Sequence, residues 1–428
     1  MPAYAVIGGQ WGDEGKGKII DYLAERVDAV VRYAGGNNAG HTVVNEKGTF
    51  QLHLVPSGVC WPGVYGIIGN GVVVSPDVLL DELNQLAQRG VETVHLYVSE
   101  RAHVIMPYHV LLDGLEEEAR GAGAIGTTGR GVGPAYLDKV GRAGIRVGDL
   151  LDEEALIPRL EQTLQFKNAL ITKIYGHDPL SRDELLAQCL DWGEKLRPYV
   201  RATEDIVRDL LDQNKSVLLE GAQGTMLDID HGSYPYVTSS SPTIGGACTG
   251  LGINPQAIAG VLGVFKAYST RVGSGPMPSE LHDDVGEEIR LKAQEFGTTT
   301  GRARRIGWFD AVAAKYSCLL NGFTGLVVTR LDILDGFKTV KICVGYRANG
   351  QDVTRFPANT GLLERCEPIY EELPGWDEPT ASATSMSQLP VNAVSYIQRI
   401  EDLLGCRVQI VSTGPSRGET ILRKSVIP

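Results

Sequence analysis

Residues 3–36 constrain this chain more than any other stretch. AYAVIGG (3–9) is a short apolar run ending at glycines, the pattern of a fully buried strand. Gln10 to Gly17 reads as a loop, after which Ile19, Ile20, Leu23 and Ala24 follow a helical period. A second apolar run, Asp28 to Tyr33, ends at Gly35-Gly36. Strand, glycine loop, helix and strand make a βαβ unit, which belongs to a parallel sheet. Further buried strands are predicted at 66–68, 94–98, 216–220, 261–267 and 325–330. The predicted fold is α/β, with a large, mostly parallel central sheet flanked by helices. Leu156, Leu160, Leu164, Leu185, Leu186 and Leu190 make 152–213 largely helical, interrupted at His177-Asp178-Pro179 and Pro198, and predict a helical insertion or subdomain. Residues 339–356 read as a small antiparallel hairpin around Ala348-Asn349-Gly350, and 390–404 as an amphipathic helix opened by Pro390. Strands on both sides of the helical stretch, with no Pro- or Ser-rich linker, predict one domain over 1–428.

The first glycine loop, Gly8-Gly9-Gln10-Trp11-Gly12-Asp13-Glu14-Gly15-Lys16-Gly17-Lys18, carries the chemistry. Glycines between a strand and a helix N-terminus free backbone N–H groups to point at an anion, and the lysines reinforce a phosphate reading. Gly12 to Lys18 satisfies G-x-x-x-x-G-K, yet Ile19 stands where a P-loop needs the hydroxyl that holds Mg²⁺. Asp13 is a second anomaly, because a carboxylate repels phosphate unless it binds a cation or acts as a base. The loop after the second strand, Gly35 to Thr42, repeats the pattern and ends with His41, a candidate general acid.

Composition narrows the class. Glycine supplies 52 of 428 residues, about 12% against an average near 7%, in short clusters rather than repeats. The formal net charge of −12 argues against nucleic-acid or membrane-surface partners. Seven scattered cysteines without a CxxC pair suit reduced thiols, and neither a secretory signal nor a long apolar span is legible, so a cytoplasmic protein is expected.

The loops GQWGDEGKGK and GGNNAGHT together resemble those of the adenylosuccinate synthetase family. The resemblance continues through IGNGVVVSP (68–76), IGTTGRGVGPAY (125–136), EGAQGTMLDIDHGSYPYVTSS (220–240), KAYSTRVGSGP (266–276), TTTGRARRIGW (298–308), TRLDILDG (329–336) and STGP (412–415). It implies a GTP-dependent ligase joining IMP and L-aspartate to give adenylosuccinate, GDP and phosphate through a 6-phosphoryl-IMP intermediate, the first committed step from IMP to AMP. One Mg²⁺ per subunit and GTP as co-substrate are implied with it.

Residue roles follow from the resemblance. Asp13 would take the N1 proton of IMP and hold Mg²⁺ with the Gly40 carbonyl. His41 would contact the transferring phosphoryl, Lys16 would neutralise its charge, and Gln223 would bind near O6. IMP would be held by Asp13, Asn38, Thr128, Gln223, Thr238 and Arg302, with Arg142 reaching across a homodimer from the neighbouring subunit. Thr298, Thr299, Thr300, Arg302 and Arg304 would bind aspartate. GTP would lie against Gly12, Gly15, Lys16, Gly17, Lys18, Gly40, His41, Thr42, Arg304, Arg330, Asp332, Ser412, Thr413 and Gly414. Arg330 stands where the family usually carries Lys, a stem that packs on the base; a guanidinium can also stack there.

Asp228-Ile229-Asp230-His231 looks like a metal cluster, but adjacent residues on an extended segment face opposite ways, so a polar loop is expected instead. Tyr33, Trp61 and Trp308 are expected to pack rather than stack on bases. Two other readings stay open from sequence: a GTP-binding switch without chemistry, and a phosphoryl-activating ligase that uses ATP.

Overall fold

The computed structural model describes residues 3–45, 48–296 and 301–427. Strand Ala3–Gly8 lies near the middle of a ten-stranded sheet. On one side follow Val217–Gly224, Ala29–Arg32, Tyr65–Ile68, Leu96–Ser99 and Val200–Arg201; on the other lie Ile258–Lys266, Gly325–Thr329, Val408–Ser412 and Thr420–Leu422. Every pairing is parallel except the last, which is antiparallel. Successive side chains of a strand leave by opposite faces. Ala3, Ala5 and Ile7 therefore join one apolar cluster with Val31, Val217 and Leu219, while Tyr4 and Val6 join another with Ile19, Ile20, Val30 and Leu218. Burial on both faces explains why these strands read as unbroken apolar runs.

The segment 152–213 is helical over Glu153–Lys173, Arg182–Leu196 and Thr203–Asp212. Between the last two it also supplies Val200–Arg201, the edge strand of the main sheet. Leu156, Leu160, Leu185 and Trp192 pack in one cluster with Leu96 and Val98 of the neighbouring strand, so these helices cover the sheet's own margin. The hairpin turns at Asn349-Gly350, both at positive φ, as a two-residue loop of this kind requires. Its long strand Thr339–Ala348 also pairs with Glu367–Pro374, a strand whose mixed, half-buried sequence hides its period. Helix Val391–Leu404 starts one residue after Pro390.

The 228–231 segment is not extended. Asp228 Oδ1 accepts the backbone N–H groups of Asp230 and His231 at 3.0 and 3.1 Å, folding the chain into a tight bend, and its Oδ2 accepts from Thr243 Oγ1. This carboxylate is turned inward to hold the loop. Tyr33 is buried with its hydroxyl donating to the Pro242 carbonyl, Trp308 is buried against Phe337, and Trp61 donates Nε1–H to Asp21.

Candidate active site

Parallel strands bring their C-terminal ends to one edge of the sheet, where ligands of open α/β folds bind. Here that edge carries a cleft of about 570 Å³. Gly12, Asp13, Gly15, Lys16, Gly17 and Lys18 line it from the first loop, and Asn38, Gly40 and His41 from the second. Gln223, Arg330, Ser412 and Gly414 enter from the ends of three other strands, and Thr128, Thr238 and Arg304 from loops. The structure thus gathers sixteen of the residues expected from sequence around one cavity. Arg302 is exposed outside that lining, with Nη1 3.5 Å from the Gly126 carbonyl. Asp332 lies just beyond Arg330, Thr413 is fully buried, and Arg142 is exposed at the end of helix Val132–Gly141. Thr42 sits on strand His41–Asn45, and Thr298, Thr299 and Thr300 lie outside the described residues.

The first loop holds two adjacent carboxylates with opposite fates. Glu14 is completely buried: Oε1 accepts the N–H groups of Gln10 and Gly12 at 3.1 and 2.9 Å, and Oε2 pairs with Lys16 Nζ at 2.7 Å. Asp13, at φ 60°, is turned the other way and is 38% exposed to the cleft. Arg304 Nε lies 2.7 Å from its Oδ2, although that N–H has no well-aligned acceptor. Nε is itself buried, so the contact is Coulombic rather than a well-formed hydrogen bond. Gly15 at φ 85° precedes helix Lys16–Ala24, placing backbone N–H groups and the helix N-terminus at the cleft floor.

His41 Nδ1 makes a very short contact with Glu220, a fully buried carboxylate that also accepts from the backbone N–H and hydroxyl of Ser57. Burial pulls the imidazole pKa down, against the pull of Glu220. Burial pushes Glu220 up, but His41 and Arg32 outweigh it and keep this carboxyl below its usual range. Arg32 faces Glu220 across neighbouring strands, a register that sequence spacing could not reveal. Gln223, at φ 57°, donates Nε2–H to Asn38 Oδ1 at 3.1 Å, and its buried Oε1 has no partner. A Cβ on Gly35 would meet that Oε1 at 2.8 Å, so the second loop needs glycine there.

Lys18 departs from a simple phosphate role. Its Nζ donates to Ser412 Oγ, the Gly414 carbonyl and the Glu419 carbonyl at 2.7, 2.7 and 2.9 Å. Burial pulls its pKa down to about 8. Asp332 Oδ1 is buried without a partner, and burial pushes this carboxyl up to about 6. Arg330, at φ 61°, turns the chain just after strand Gly325–Thr329, its Nη1 3.4 Å from the Ala293 carbonyl.

The adenylosuccinate synthetase family profile matches residues 5–421. The chain belongs to the adenylosuccinate synthetase family. It is 55% identical to the adenylosuccinate synthetase of Dehalococcoides mccartyi over 423 residues, covering 99% of this chain and all of that one. Identity to the Carboxydothermus hydrogenoformans enzyme is also 55%, over 426 residues and the whole of both chains. Among solved structures, the fully ligated adenylosuccinate synthetase of Plasmodium falciparum superimposes with a TM-score of 0.93 at 36% identity, over 99% of this chain and all of that one. The chain is a GTP-dependent ligase that joins IMP and L-aspartate to form adenylosuccinate in AMP synthesis. Four residues that shape the site were given no role from the sequence, although the quoted segments contain three of them: Glu14, Glu220 and Arg271, with Glu295 outside any segment. Arg271 is buried and donates to Ser233 Oγ and to the carbonyls of Ser274, Pro276 and Tyr236, fixing the loops over the cleft; burial pulls its pKa to about 9.

Proposed function

We propose that Asp13 is the base that starts the reaction, and that ligation proceeds in two displacements. Asp13 removes the N1 proton of IMP, so the electron pair reaches O6. O6 attacks the γ-phosphorus of GTP; the O6–P bond forms, the β–γ bridge breaks and GDP leaves. The aspartate amine then attacks C6, the C6–O6 bond breaks, and phosphate departs carrying O6, so oxide is never the leaving group. The observation that carries this reading is the split within the first loop: Glu14 is buried and fully engaged, whereas Asp13 opens on the cleft. His41, with Nδ1 held by Glu220, is proposed to turn Nε2 to the phosphoryl oxygens and to donate once their charge favours the imidazolium. Lys16 is proposed to share its ammonium between Glu14 and the phosphoryl group.

The hard oxygens of Asp13 and the Gly40 carbonyl line the same cavity and suit Mg²⁺, which they would hold, one ion per subunit. When bound, that ion would neutralise charge on the phosphates. Asn38, Thr128, Thr238 and Gln223 are proposed to bind IMP, and Arg302 and Arg304, with Thr298 to Thr300, the aspartate carboxylates. Asp332, with its open buried oxygen, is proposed to accept the two N–H donors of guanine beside Arg330. Lys18, by holding Ser412, Gly414 and the Glu419 carbonyl, is proposed to close the C-terminal loop over the base rather than to contact phosphate first.

Arg142 is proposed to act in the neighbouring subunit of a homodimer. It is exposed, ends a helix whose Leu137 and Val140 are 63% and 79% exposed, and stands outside its own cleft lining. Among the described residues no disulfide links the cysteines, which suits the cytoplasm, and no helix is long and apolar enough to cross a membrane.

IMP labelled with ¹⁸O at position 6 tests the two-step route. One labelled oxygen in each phosphate released is expected. Unlabelled phosphate would refute O6 activation.

A further inference from the structure

A chain of four charges, buried except at Asp13, runs from the central sheet to the cleft. Lys266 Nζ meets Glu295 Oε1 at 2.6 Å, Glu295 Oε2 takes Arg304 Nη1 at 2.6 Å, and Arg304 Nε reaches Asp13. Tyr268 also donates its hydroxyl to Glu295 Oε1 at 2.6 Å, and Lys266 donates to Thr270 Oγ1 at 2.9 Å. Glu295 and Lys266 are fully or almost fully buried. Burial pushes Glu295 up, but Lys266 and Arg304 outweigh it and hold this carboxyl at about 2.

Glu295 also grips the backbone of Arg304: the Arg304 N–H donates to the Glu295 carbonyl at 2.9 Å, and Phe296 bridges Ala303. Side chain and main chain of Glu295 therefore both hold Arg304, one of the residues proposed for aspartate. An arginine must lose rotamer entropy before it can grip a carboxylate bidentately. A buried partner that has already fixed Nη1 of the guanidinium removes much of that cost for the part of Arg304 that lines the cleft.

We propose that Glu295 is a positioning residue for the L-aspartate site, presenting Arg304 to the substrate carboxylate while Lys266 balances its charge. This rests on the assignment of Arg304 to aspartate, and the controls separate the two. Glu295→Gln alone strands a buried ammonium, so Lys266→Met/Glu295→Leu, which removes both charges with side chains of similar volume, carries the test. Steady-state kinetics would give KM for aspartate and kcat, and equilibrium dialysis the Kd for IMP. The expected result for the double variant is a KM for aspartate at least tenfold higher, a kcat within about fivefold of wild type and a Kd for IMP within twofold. Arg304→Leu is expected to raise the same KM. If Arg304→Leu raises it and the double variant leaves it within twofold, Glu295 merely neutralises Lys266 and the inference falls alone. If Arg304→Leu leaves the aspartate KM unchanged, the aspartate assignment falls and takes the inference with it. Equal weakening of IMP and aspartate by the double variant would mean general loosening and would also overturn it.

Discussion

Glu14 offers a direct measure of what holds the catalytic loop open. It is fully buried, accepts two backbone N–H groups at 3.1 and 2.9 Å, and pairs with a lysine that is itself only 4% exposed. The surroundings are closed: a Cβ on Gly8 or Gly224 would lie 2.4 or 2.5 Å from its carboxylate. Glu14→Ala leaves both N–H groups and the Lys16 ammonium without partners. A stranded buried donor costs about 1–3 kcal/mol and a broken buried ion pair about 3–5 kcal/mol. Because one carboxylate serves all three, these penalties overlap, and a loss of about 4–5 kcal/mol is expected. Glu14→Gln retains a carbonyl for the two N–H groups but turns an amide N–H₂ towards Lys16, so about 3 kcal/mol is expected. Lys16→Met/Glu14→Gln, which leaves no charge unpaired, should recover most of that. Urea unfolding followed by circular dichroism would give the order Ala, Gln, double variant from least to most stable. Losses under 1 kcal/mol for both single variants, or a double variant no better than Glu14→Gln, would refute the pairing as the loop's main support.

Asp13→Ala should lower kcat by at least about 10³-fold while GTP and IMP still bind, measured by phosphate release and dialysis; residual activity near a tenth would remove it as base. Asp332→Asn should move nucleotide preference from GTP towards XTP by roughly 10–100-fold in kcat/KM, because an amide can donate where guanine's partner was an acceptor; an unchanged ratio would place guanine recognition elsewhere. Lys18 should lose its proton as pH rises through about 8, and a neutral amine has two hydrogens for three acceptors. KM for GTP should therefore rise between pH 7 and 8.5 in the wild type and stay flatter in Lys18→Arg; parallel curves would refute the role. For folding the sign is opposite, since a lysine whose folded pKa lies below its unfolded value adds stability as pH climbs from about 8 towards the usual lysine range. Mixing inactive Asp13→Ala with inactive Arg142→Leu should restore roughly a quarter of wild-type activity, since half of randomly formed dimers would carry one intact site. No recovery after subunit exchange would place Arg142 outside the shared site.

Much of this protein was legible without coordinates, for local reasons. Strands buried on both faces announce themselves as unbroken apolar runs, and a glycine loop at a strand end announces an anion site whatever surrounds it. Asp13 stood out because a carboxylate there is electrostatically wrong without a task. The edge strands Val200–Arg201 and Thr420–Leu422 left no comparable trace, since two or three residues have no period to read.

The buried charges belong to tertiary structure. The order Asp13-Glu14 does not tell which carboxylate is enclosed; the φ of 60° at Asp13 and the packing of Gly8 and Gly224 around Glu14 leave Asp13 open on the cleft and Glu14 buried. Glu220 meets Arg32 because a strand 188 positions later lies in register beside it, and Glu295 meets Lys266 from a separate helix end. Sequence alone specified the sheet and the phosphate-type loops, because hydrophobic period and backbone freedom act over a few neighbouring residues, while the chemistry was implied only by the motifs' resemblance to the family. Only the folded chain settled which acids are enclosed scaffold and which open on the cleft, because that depends on desolvation and on partners brought from far along the chain.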